Sequence, residues 1–194
     1  VLTLSTIAFT LVFAVWLMFG ILGVPIRDEL GLSDVQLSWL TAVAVLNGSI
    51  WRLPVGILAD RIGGRRVFTA ILLIAAVPTA LVSFTHDYGL LLVLAFAIGI
   101  AGNSFSAGVS WNSAWFPPEK RGLAIGIFGA GMGGTAISAL TTVKLTDHLG
   151  AKAPFLITAA VLACYALAAW LIMRDAPGRV VPTSSLAARI SANA

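Results

Sequence analysis

Six long apolar stretches, separated only by short polar punctuation, constrain this chain more than any other feature. They run over residues 2–26, 35–59, 67–85, 90–114, 122–143 and 154–173. About 20 apolar helical residues cross the ~30 Å hydrocarbon core of a bilayer. A closed barrel would need alternating segments of about 10 residues, and these stretches do not alternate. The 194 residues are 59% hydrophobic and only 10% charged, with a mean hydropathy of +0.98. A soluble domain carries roughly a quarter charged residues, so a water-soluble fold could not hide this much apolar surface. The expected fold is an all-α integral membrane protein, a six-transmembrane-helix bundle with the lipid bilayer as its solvent.

The net charge of +4 does not point to nucleic acid. Polyanion binding needs a dense basic patch, whereas these basic residues fall in small groups between apolar runs. Arg61, Arg65, Arg66, Lys120, Arg121, Arg174, Arg179 and Arg189 lie on one side of the expected topology; Arg27, Lys144 and Lys152 lie on the other. Eight against three places the even-numbered loops and both termini in the cytoplasm. Trp39, Trp115 and Trp170 fall near stretch ends, where an indole keeps its N–H wet. Cys164 is the only cysteine; it reads as a packing residue and gives no disulfide framework. His86 and His148 fall in outer loops without grouped partners, so no metal site and no cofactor is expected. The chain begins at Val1 without a basic leader, and the expectation is that a longer N-terminus precedes it. Residues 1–173 form the expected bundle, and 174–194 a cytoplasmic tail or a linker to another bundle.

Arg52 is the sharpest single residue. It stands eight positions before Asp60, about 10 to 12 Å along a helix from the cytoplasmic end. An arginine at that depth costs at least about 2.5 kcal/mol and lies too far in to snorkel. No Asp or Glu occurs in the apolar interior of any stretch. The candidate partners are a mobile anion, water, or carbonyl groups, and a planar guanidinium fork matches a planar oxyanion. The segment from Gly56 to Arg66 adds Asp60, Arg61, Gly63, Gly64 and Arg65 at the cytoplasmic face. Stretch 5 carries Gly122, Gly126, Gly129, Gly131, Gly133 and Gly134 around Met132. Such density permits close approach of either another helix or a small ligand. Asn103, Ser104, Ser106, Ser110 and Asn112 place neutral hydrogen-bonding groups at membrane depth, either lining a polar path or tying helices together. Pro117 and Pro118 end stretch 4.

The segment Gly56-Ile57-Leu58-Ala59-Asp60-Arg61-Ile62-Gly63-Gly64-Arg65-Arg66 resembles the helix 2–3 loop motif of the major facilitator superfamily, with one glycine extra. Residues 99–134 and Trp51-Arg52-Leu53-Pro54 resemble the nitrate/nitrite porter family within that superfamily. The run from Trp115 through Gly131 is similar to that family's signature leading into its glycine-rich helix 5. The resemblance implies the N-terminal half of a twelve-helix transporter that binds nitrate or nitrite between two six-helix bundles. It implies Arg52 as one of two anion-clamping arginines, Phe105 as an aromatic wall, and Gly129, Gly131, Met132 and Gly133 as close neighbours of the anion. It further implies Gly56, Asp60, Arg61, Gly64, Arg65 and Arg66 as a conformational latch. Met132 departs from the family, which usually carries an asparagine there, and the second arginine, expected on helix 8, is not in this sequence.

The expected function is transmembrane transport of nitrate/nitrite by alternating access, in a bacterial cytoplasmic membrane, with a second six-helix bundle as partner and no enzymatic activity. The lack of a membrane-embedded acid or histidine in these stretches favours anion exchange over proton symport. Two alternatives stay open: a truncated or regulatory membrane protein that moves nothing, and a transporter for another small solute.

Overall fold

The computed structural model describes residues 1–150 and 152–176. The described chain folds into six helical rods. The first runs through α1 (Leu2–Trp16), α2 (Met18–Ile21) and α3 (Gly23–Leu30). The second joins α4 (Asp34–Ile50) to α5 (Arg52–Ile62), and the third is α6 (Gly64–Val82). The fourth is α7 (Tyr88–Ile98), a 3-10 turn at Gly99–Asn103, and α8 (Ser104–Trp115). The fifth is α9 (Pro118–Gly129), a 3-10 turn at Ala130–Gly133, and α10 (Gly134–Leu149); the sixth is α11 (Ala153–Ile172). Rods three to six are each long and apolar enough to cross a membrane, and α4 with α5 qualifies as a bent pair. The longest helix of rod one, α1, has 15 residues and is apolar but shorter than the other spans.

Local chemistry explains the breaks. Pro54 has no N–H for the carbonyl of Ile50, four residues back, and the second rod bends by 44° between α4 and α5. Pro25 stands in the same relation to Ile21, where α2 ends. Ser33 and Gln36 form a reciprocal capping box that starts α4, satisfying two otherwise orphan donors. Asp87 caps α7 through the Leu90 N–H, at 2.7 Å. Pro118 opens α9, where its missing N–H is harmless. At the end opposite the arginine-rich α5–α6 turn, Arg27 pairs with Asp34 at 2.8 Å and Asp28 at 3.0 Å. Those hydrogen bonds, Asp34 first, hold the guanidinium pKa above its ordinary value.

Glycine contacts and aromatic rings organise the interior. At the crossing of rods two and four, a Cβ on Gly102 would lie 3.0 Å from the Gly48 Cα and 2.7 Å from Trp16. Gly99 meets the Ala44 carbonyl and Asn47 there, so the two backbones are in direct contact. Gly131 packs on Phe9, and Gly134 on the Thr10 backbone, which holds rod five against rod one. Phe9 stacks on Phe128 with ring centroids 4.6 Å apart, and the Phe128 ring tip occupies the space left by Gly108. The Asn112 side chain exchanges hydrogen bonds with Ser5 across rods four and one, at 3.0 and 3.1 Å. The glycine cluster of stretch 5 is therefore, at Gly131 and Gly134, a helix-packing device.

Several expectations change. The segment Gly56–Arg66 is almost entirely helical, and the link between α5 and α6 is Gly63 alone. Its φ of 108° lies in the region that favours glycine. His148 belongs to the last turn of α10, because the helix runs six residues beyond the expected end at 143. Cys164 is exposed on the outside of the bundle and is not a packing residue. The Trp115 indole N–H is buried without a partner among the described residues, so it is not held in water. Arg179 and Arg189, counted in the charge asymmetry, and most of the expected 174–194 tail lie outside the described residues.

Candidate functional site

The bend at Trp51 makes Arg52 the first residue of α5, at the positive end of a half-helix inside the apolar part of the chain. From there Ser49, Arg52, Leu53, Gly56, Ile57 and Asp60 follow one another at helical spacing along one stripe. Phe105, Ser106, Val109 and Ser110 form the facing stripe of α8, and together the stripes line an open groove of about 670 Å³. Gly56 keeps the stripes close: a Cβ there would touch the Ser106 Cβ at 3.5 Å.

Phe105 is fixed from behind by the aromatic cluster. Its ring centroid lies 5.7 Å from Phe9 and 6.1 Å from Phe128, within the range of favourable tilted pairs. At the other end of the groove the Ser110 hydroxyl donates to the Asp60 carboxylate. Arg52 is exposed within the groove and makes no hydrogen bond or ion pair to any described residue. The arrangement offers a cationic fork beside an aromatic face, with serine hydroxyls from both walls. Such a combination is chemically suited to a small planar anion, through charge-assisted hydrogen bonds and ring stacking. No metal-ligating cluster occurs among the described residues.

Four expected residues thus meet in one groove: Arg52, Phe105, Gly56 and Asp60. Gly129, Gly131, Met132 and Gly133 do not line it. Gly131 is packed against Phe9 and Thr6, Gly129 and Gly133 face open space, and the Met132 side chain is exposed. The arginines of the α5–α6 turn separate. The Arg65 guanidinium lies 4.4 Å over the Trp170 ring, and the Arg65 N–H donates to Asp175 at 2.9 Å. Gly64 sits directly against the Trp111 ring, where no side chain fits. The expected polar groups of rod four split between both readings. Ser106 and Ser110 line the groove, whereas Asn112 and Ser104 are buried and bonded inside the bundle. Sequence reasoning missed Ser49, although it stands three residues before Arg52 on the same helical face. It also missed Asp175, which nothing local in the sequence connects to α6.

Residues 4–192 match the family model described as Major Facilitator Superfamily. The chain belongs to the Major Facilitator Superfamily. A probable nitrate/nitrite antiporter, NarK1 of Thermus thermophilus, is 57% identical over 160 residues, which are 79% of this chain and 36% of that protein. A probable nitrate/nitrite transporter, NarK2 of Mycobacterium tuberculosis, is 34% identical over 187 residues, covering 92% of this chain and 47% of the relative. A probable nitrate transporter, NarT of Staphylococcus carnosus, is 31% identical over 86% of this chain and 43% of its own length. The chain therefore spans between a third and a half of these relatives.

Among solved structures, the fold is similar to a bacterial homolog of the human lysosomal transporter Spinster, in an inward-facing and unoccupied conformation. The TM-score is 0.80 at 22% identity, over 95% of this chain and 45% of that one. The Major Facilitator Superfamily fold thus accounts for the six rods as a half-transporter bundle, and the superfamily consists of membrane transporters rather than enzymes.

Proposed function

We propose that this chain is the N-terminal six-helix bundle of a bacterial nitrate/nitrite transporter. The observation that carries the reading is Arg52, at the start of a half-helix, in an open groove with Phe105 and without an ion-pair partner among the described residues. A charge in that place calls for a partner, since an unpaired arginine at membrane depth is costly, and an open groove with an aromatic wall suits a mobile anion in that role. The names of the similar proteins from Thermus and Mycobacterium point to nitrate and nitrite as that anion.

In this reading, residues 1–173 pack against a second six-helix bundle across the Arg52 groove. Rocking of the two bundles exposes the anion to each side in turn. The partner bundle supplies the second arginine of the clamp. Phe105 gives the aromatic wall, and Gly129, Met132 and Gly133, which face open space, border the path toward the partner bundle, while Gly131 holds their helix against rod one. Gly56, Asp60, Arg61, Gly64, Arg65 and Arg66 form the latch at the cytoplasmic face. Both termini lie in the cytoplasm by the distribution of arginine and lysine, and residues 174–194 serve as a cytoplasmic tail or as the linker to the partner bundle. Exchange of one anion for another fits apolar stretches whose interiors carry no acid or histidine.

The test is uptake of labelled nitrate into proteoliposomes containing the protein with both bundles. Unlabelled nitrite competes with the label in this reading, and neither sugars nor organic cations do. Competition by sugars or cations with none by nitrite would reject it.

A further inference from the structure

A second groove, of about 420 Å³, lies on another face of the bundle, between α6 and α11. Its volume falls in the range of small-ligand sites. Arg66, Thr69, Ala70 and Leu73 form one wall at helical spacing; Ala163, Ala166, Leu167 and Trp170 form the other. The alanines make the depression, because the neighbouring outward positions carry large side chains such as Ile74 and Leu171.

Three observations give the groove a chemistry. Arg66 is exposed at its arginine-rich end, with no hydrogen bond or ion pair to a described residue. Thr69 is 7% exposed, lines the groove, and its hydroxyl is buried without a partner among the described residues. A buried hydroxyl left unpaired is unfavourable, so this one calls for a ligand atom. Beyond Thr69 the lining turns wholly apolar. Along α6 the order is thus cation, hydroxyl about 4.5 Å deeper, and apolar floor from there on. A phospholipid presents phosphate, glycerol ester and acyl chain in the same order from the membrane surface inward.

The face itself is lipid-facing. Continuing along α6 and α11 it exposes Leu73, Ile74, Val77, Leu81, Leu167 and Leu171 without a charge. The Arg52 face, by contrast, carries a charge at depth and has to be covered by protein.

We infer that the α6–α11 groove binds one anionic phospholipid. Its phosphate sits at Arg66, a glycerol ester oxygen accepts from Thr69, and one acyl chain lies over Ala70, Ala163 and Ala166. Trp170, already under Arg65, forms the wall at the ester level, where indoles are favoured. This assignment does not depend on which solute the protein carries.

Native mass spectrometry of the whole protein, purified with either phosphatidylglycerol or phosphatidylcholine of identical acyl chains, tests it. The wild type should retain one phosphatidylglycerol about fivefold better than phosphatidylcholine, the effect expected of one arginine near an anionic headgroup. Arg66→Gln should remove that preference, and Thr69→Val should reduce retention of both lipids. Equal retention of the two lipids by the wild type overturns the proposal without relying on any variant, and leaves the groove to another occupant such as residues 177–194. A preference that survives Arg66→Gln in protein with unchanged thermal unfolding overturns it as well.

Discussion

Gly64 and Gly126 are both glycines in helices, yet they sit in opposite surroundings. A Cβ on Gly64 would enter the Trp111 ring, whereas one on Gly126 meets nothing within 4 Å. Trp111 is itself pinned by Phe68, with centroids 6.0 Å apart, so it cannot yield cheaply. Gly64→Ala should therefore destabilise the protein by about 1–3 kcal/mol, the usual cost of overpacking. Gly126→Ala should be neutral or stabilising by up to about 1 kcal/mol through helix propensity. Thermal or denaturant unfolding in detergent compares the two, and equal effects would refute the packing argument. Residue chemistry of this kind was only partly legible. Arg52 stood out because charge inside an apolar run is costly wherever the helices go. Which glycines pack and which lie open depends on neighbours more than a hundred residues away, as with Gly134 and Thr10, and spacing alone left that undecided.

Elements in this bundle are tuned by single residues at their ends and bends. Asp175 lies beyond α11, but its carboxylate accepts from the Arg65 N–H in the first turn of α6. It acts as a cap supplied from another rod, favourable at the positive helix end. Asp175→Ala should cost about 0.5–2 kcal/mol, the range for loss of a cap, measured by thermal unfolding. Asp175→Asn should recover much of it, because an amide oxygen still accepts the hydrogen bond. Pro54 sets the 44° bend that brings Arg52 to the start of α5. Pro54→Ala restores the missing N–H and lets the rod straighten, carrying Arg52 away from Phe105. Nitrate affinity should fall by tenfold or more, since about 1 Å of misplacement is enough for such losses, while circular dichroism shows undiminished helix. Unchanged affinity would mean that the bend does not position the arginine. The six rods themselves were legible, with ends displaced by up to six residues, because apolar length is a strong signal in a bilayer. Their interruptions at Leu17 and Leu22, and the one-residue turn at Gly63, were not. Rod continuity depends on individual hydrogen bonds, which hydropathy does not report.

The whole bundle presents two kinds of apolar surface. The face across α6 and α11 carries no charge at depth and suits lipid, while the face across α5 and α8 carries Arg52 in a groove. Two such halves placed groove to groove would enclose the arginine and leave the lipid-compatible faces outside. That arrangement is the one the cost of a charge in hydrocarbon favours under the proposed function. The central claim is that Arg52 binds a planar anion through the geometry of its fork rather than through charge alone. The most direct test is nitrate–nitrite exchange in proteoliposomes containing the two-bundle protein, wild type against Arg52→Lys, at matched protein content. Lysine keeps the charge but cannot form two parallel hydrogen bonds. Exchange should fall by tenfold or more, corresponding to about 1.4 kcal/mol or more of lost anion stabilisation. Wild-type exchange in Arg52→Lys would contradict the claim.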